Sequence, residues 1–134
     1  NLFNRDGGPE PPVGISVPQA MYDDFVKISE PIQKIRPDYP FEVKVREPRK
    51  RPTRMGGTDA SVFAIEGVPT LGFTTEDFKG YDFDYGEIWH TERDLYTKNI
   101  PEYQEHTATV TAIIALGVAN LDKQLSREGL YTEE

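Results

Sequence analysis

The sequence predicts an α/β fold, and three observations carry that expectation. Short stretches in which apolar and polar residues alternate are followed by longer stretches with an apolar residue every three or four positions, the order of strands and helices in an α/β domain. At 134 residues the chain has the size of one domain, so residues 1–134 are expected to form a single unit. Its 11 % aromatic content sets it apart from disordered polar chains, although only 37 % of it is hydrophobic.

The elements follow in order. Asp6-Gly7-Gly8-Pro9-Glu10-Pro11-Pro12 is expected to be a loop, after which Val13, Ile15 and Val17 alternate with Gly14 and Ser16 in a strand ended by Pro18. Met21, Tyr22, Phe25, Ile28, Ile32 and Ile35 then mark one face of a helix over Gln19 to Ile35. Pro31 lacks a backbone N–H and is expected to kink that helix or split it near Glu30. Phe41, Val43 and Val45 alternate with charged residues in a second strand, ended by Pro48.

Gly56-Gly57 is a hinge, Thr58 or Asp59 is placed to cap a helix from Ala60 to Glu66, and Gly67 to end it. Val68 to Phe73 is expected to be a buried strand, and Thr74 to Asn99 a long loop. Ile100 and Pro101 open the last helix, whose wide apolar face holds Thr107, Val110, Ile113, Ile114, Gly117, Val118, Leu121 and Leu125, with Gly129 placed to end it.

Composition excludes several functions. The net charge of −8 is opposite in sign to the surface that attracts a phosphate backbone, so nucleic acid is not an expected partner. No apolar run approaches the roughly 20 residues of a membrane span; the longest is Ala112 to Ala119, including Gly117. With no cysteine there is no thiolate ligand or nucleophile, and any metal must be held by His or carboxylates. The six cations Lys44, Arg46, Arg49, Lys50, Arg51 and Arg54 are broken by prolines without interleaved aromatics. They are expected to be a solvated loop or a charged strand edge.

Chemistry is expected between Thr74 and Asn99, where Phe78, Tyr81, Phe83, Tyr85, Trp89 and Tyr96 stand among seven carboxylates. Within it, Gly86-Glu87-Ile88-Trp89-His90-Thr91-Glu92-Arg93-Asp94 places an imidazole, a good zinc ligand, beside carboxylates that could orient it. Asp82 and Asp84 are expected to be a hydrated rim. His106, among Glu102, Glu105 and Thr107, is expected to be solvated. Asp6, before a glycine pair, could be a carboxylate presented at a strand end or simply a turn.

Gly56-Gly57-Thr58-Asp59-Ala60-Ser61-Val62-Phe63, then Gly67-Val68-Pro69-Thr70-Leu71-Gly72-Phe73, then Trp89-His90-Thr91 with Asp94 and Leu95 resembles the C-terminal part of the co-catalytic zinc aminopeptidases of metallopeptidase family 28. That family includes plasma carboxypeptidase-like and glutaminyl-cyclase-like relatives. The resemblance covers Arg54 to Leu125. It implies the C-terminal portion of a zinc-exopeptidase (phosphorylase/hydrolase-like) three-layer fold, with a mostly parallel or mixed sheet flanked by helices. It implies that His90 and Asp6 are zinc ligands and that Asp59, Trp89 and Tyr85 contact substrate.

The family's upstream His-x-Asp and Glu-Glu elements, which supply the bridging ligand and the general base, have no counterpart ahead of His90 in this sequence. The chain is therefore expected to be one portion of a longer two-zinc exopeptidase, an aminopeptidase or dipeptidase, with no catalytic base of its own. Its expected partners are a peptide substrate and the preceding part of the same domain. The resemblance leaves room for a homodimer and suggests secretion or a periplasmic location. Two alternatives stand beside it: a non-catalytic peptide-binding module on the same fold, and a glutaminyl cyclase with a single zinc.

Overall fold

A computed structural model describes residues 10–82 and 85–132, except for the side chain of Tyr85. The chain forms β1 (Pro12–Val17), α1 (Gln19–Ile35), β2 (Glu42–Val45), α2 (Ala60–Ile65), β3 (Phe73–Thr75), α3 (Tyr85–Ile88), a 3-10 turn at Tyr96–Lys98, and α4 (Pro101–Ala119). The α/β expectation holds in the form of a small mixed sheet with helices. Its strand order is β2-β1-β3, with β1 parallel to β2 through the α1 crossover and antiparallel to β3.

Alternation in β1 turns Ile15 and Val17 into the core, where they meet Met21, Phe25 and Ile32 of α1, Val110 and Ile114 of α4, and Leu130. The two long helices pack closely because Gly117 has no side chain. A Cβ there would lie 2.5 Å from Cγ2 of Ile28. No helix among the described residues is long and apolar enough to cross a membrane.

Several expectations are corrected. Of the kink or split expected at Pro31, the split does not occur: Pro31 lies inside one continuous helix. The N–H it lacks would have bonded the Lys27 carbonyl, and both residues lie on the exposed side of α1, where water can satisfy that carbonyl. Strand structure covers only Phe73–Thr75, while the stretch from Val68 to Gly72 is half-buried or exposed coil. Pro69 has no donor for a ladder there.

α2 has no side-chain cap. The Thr58 carbonyl instead accepts from the Ser61 amide at 3.0 Å and the Ser61 hydroxyl at 2.7 Å. Gly67 does end that helix, at φ +71°. α4 ends at Asn120, well before Gly129, because the polar stretch from Asp122 to Gln124 no longer offers a face to bury. Gly129, at φ +68°, makes a later turn that delivers Leu130 to the core.

The basic stretch is partly structural. Arg51 grips the Ile65 carbonyl at the end of α2, with Nε at 2.7 Å. The half-buried Arg46 donates to the carbonyls of Glu47 and Leu130 at 3.3 and 3.4 Å. These cations staple the loop to α2 and to the C-terminal turn, while Lys44 lies on the exposed β2 edge, paired with Glu42 at 3.3 Å.

Candidate functional site

The segment flagged by its aromatics and carboxylates is pinned to the first turn of α4. Glu102 accepts from Lys79 Nζ at 2.6 Å, from the Tyr39 hydroxyl at 3.0 Å and from the Tyr81 hydroxyl. Hydrogen bonds from Lys79 and Tyr81 hold its carboxyl well below the usual range, at about 2. Buried Tyr103 donates to Asp77 at 2.6 Å and accepts the Lys79 amide at 3.0 Å. The Phe78 and Tyr81 rings lie 5.8 and 5.2 Å from the Tyr103 ring. Burial first, then the bond to Asp77, pushes the Tyr103 phenol up.

From this anchor the chain runs to α3, where Ile88 is buried. A tight turn follows, built around Thr91. Its amide bonds the Ile88 carbonyl at 3.0 Å, and its hydroxyl lies 2.9 and 3.1 Å from the Ile88 and Glu87 carbonyls. The same hydroxyl accepts the Arg93 amide at 3.2 Å, and the Asp94 amide bonds the Thr91 carbonyl at 3.2 Å.

His90 sits in this turn at φ +55°, a left-handed backbone that helices usually close with glycine and that costs a side-chain-bearing residue about 1 kcal/mol or more. Its imidazole is exposed, makes no hydrogen bond among the described residues, and lies 4.4 Å from the Trp89 ring. It opens on a basin of about 850 Å³ lined by Gly86, Glu87, His90, Thr91, Glu92 and Arg93.

Of the residues expected to form a site, His90 lines the basin, while its sequence neighbour Trp89, 46 % exposed with its ring 4.4 Å from the imidazole, is not among the lining residues. Tyr85 opens α3, but its side chain lies outside the described residues, as do Asp6 and Asp84. Asp59 is exposed at the start of α2 and does not line the basin. The basin adds Glu87, Glu92 and Arg93, which lie in the segment singled out by sequence but carried no individual role there. Among the described residues no three His, Cys, Asp or Glu side chains come close enough to hold a metal ion. His90 thus supplies one suitable donor, and these residues alone do not complete a metal site.

His106 corrects a further expectation: it is completely buried, not solvated. Its ring stacks on Tyr39 at 4.0 Å, and Nε2 lies 3.3 Å from the Pro12 carbonyl. That carbonyl can only accept, so the neutral ring carries its proton on Nε2 and leaves buried Nδ1 without a partner among the described residues. Burial, with smaller contributions from the cations Arg36 and Lys79, outweighs the Pro12 contact and holds the ring's pKa at about 4.

Stability is therefore expected to fall with acid in a defined window. Above the unfolded-state value of about 6.5 both states are neutral. As pH drops from there to about 4 the unfolded chain takes up a proton that the folded ring resists, for a loss of about 3 kcal/mol. Urea denaturation at stepped pH measures the slope. His106→Phe should flatten it between pH 6.5 and 4, and leave the acid loss from Glu102, which begins only below about 4.5. An unchanged slope in that variant would place the proton uptake elsewhere.

Compared with known protein families, with curated proteins and with solved structures, the chain has no match.

Proposed function

We propose that the chain is the C-terminal portion of a zinc-dependent exopeptidase, an aminopeptidase or dipeptidase, in which His90 is a metal ligand. One observation carries the reading: a histidine occupies a left-handed position where glycine would cost less, on a turn held by Thr91, with its imidazole exposed and free of hydrogen bonds among the described residues. A surface histidine gains nothing from that backbone strain. A metal donor gains a fixed direction, since ligands work only when held in place.

The remaining donors, Asp6 among them, and the general base would come from outside the described residues, in the elements that the resemblance places upstream. Bound zinc would polarise the scissile carbonyl and lower the pKa of the attacking water. Trp89 would wall the substrate beside His90, and Tyr85 enters the proposal through the resemblance, from the start of the same helix. Asp59 enters the proposal through the resemblance alone, from the start of α2.

The test is metal counting by mass spectrometry on the longer protein, paired with assays of dipeptides and aminoacyl substrates before and after chelation. The expected result is two zinc ions per chain and hydrolysis that chelation abolishes and zinc restores. One zinc with cyclisation of N-terminal glutamine would replace this reading with a glutaminyl cyclase. Peptide binding that is indifferent to chelator and unaccompanied by hydrolysis would replace it with a binding module.

A further inference from the structure

Among the described residues Arg93 is the one cation lining the His90 basin, and the two carboxylates beside it there, Glu87 and Glu92, leave it unpaired. Asp94, its neighbour in sequence, does not pair with it either. The Thr91 hydroxyl accepts the Arg93 amide at 3.2 Å, so one hydrogen-bonded turn carries both His90 and Arg93. In a chain of net charge −8, a guanidinium that has acidic neighbours yet pairs with none keeps its planar fork of donors for an incoming group. A carboxylate matches that fork bidentately.

We infer that Arg93 is the specificity residue of this basin, recognising a carboxylate on a short peptide while Glu87 and Glu92 favour the peptide's ammonium group. The inference rests on the exopeptidase reading and names its substrate class: small peptides bearing both charges. A purely anionic ligand is disfavoured by the two carboxylates, and a purely cationic one by Arg93. The recognised carboxylate is either the free C-terminus of a dipeptide or an acidic side chain.

Four substrates separate these sources: Ala-Ala, its C-terminal amide, Ala-Glu amide and Ala-Gln amide, each assayed with the longer protein and its Arg93→Ala and Arg93→Lys variants. Arg93→Ala is expected to lower kcat/KM about 10- to 100-fold for substrates carrying the recognised carboxylate and not to lower it for those that lack it, with Arg93→Lys recovering part of the loss. Loss on Ala-Ala alone identifies the C-terminus; loss on Ala-Glu amide alone identifies the side chain.

In parallel, titrating metal-free protein with Ala-Ala or Ala-Glu amide should shift the Arg93 Nε–H resonance. An equal loss on all four substrates, or no loss and no shift, overturns the role of Arg93 while hydrolysis by the unsubstituted protein keeps the exopeptidase reading. If the unsubstituted protein hydrolyses none of them, the exopeptidase reading falls and this inference with it.

Discussion

His90→Ala in the longer protein is expected to abolish peptide hydrolysis and to weaken zinc binding by more than the roughly 10- to 100-fold typical of losing a residue that only supports a ligand. The fold should survive, because the imidazole is exposed and contributes no hydrogen bond among the described residues. The backbone supplies a stricter control. At φ +55° glycine is unstrained, so His90→Gly should raise stability by about 1 kcal/mol while losing metal as completely as the alanine variant. A variant that gains stability and loses function separates a donor from a packing residue. Zinc content and turnover that persist in both variants would defeat the assignment of His90.

That separation is needed because the sequence exposes some of this site and hides the rest. His90 stands out as one of two histidines, in a segment too aromatic and acidic to be a plain tether. Its left-handed backbone could not be read, since φ follows from how the turn after α3 closes on Thr91. Glu87, Glu92 and Arg93 share the basin for the same reason, the close return of a turn whose span has no periodicity.

The burial of His106 is legible in the spacing of α4, against the expectation of a solvated ring. Tyr103, His106, Val110 and Ile114 follow one another at three- and four-residue steps on α4, and all four are buried. Its acidic neighbours Glu102 and Glu105 suggest a solvated face, yet Glu105 is exposed and Glu102 is turned toward Lys79, Tyr39 and Tyr81. The positions of β1, α1, β2 and α4 followed from periodicity because each buries one face against the others. β3 was misplaced because its pairing to β1 is a long-range choice, made at Phe73–Thr75 through an irregular register near Gly14.

Gly14, on the other side of the same strand, pairs closely with β2 and is the position where one methyl group should cost most. Gly14 is buried on the central strand, opposite Glu42 on one side and Thr74 on the other. A Cβ built there collides with the Glu42 carbonyl oxygen, a backbone atom that cannot swing aside as a side chain would. Relief requires β2 to move away from β1, weakening the parallel ladder that runs from Gly14–Glu42 to Val17–Val45. Gly14→Ala is expected to destabilise the fold by about 3 kcal/mol, at the upper end of overpacking costs and a large share of the stability of a domain of this size. Gly57→Ala and Gly72→Ala are the matched controls: a Cβ at either meets nothing within 4 Å, and each should change stability by no more than about 0.5 kcal/mol. Denaturant titration of the three variants reads the contrast directly. A Gly14→Ala protein as stable as the two controls would mean that β2 does not approach β1 at Glu42 as described, and the parallel pairing on which the α/β architecture rests would have to be redrawn.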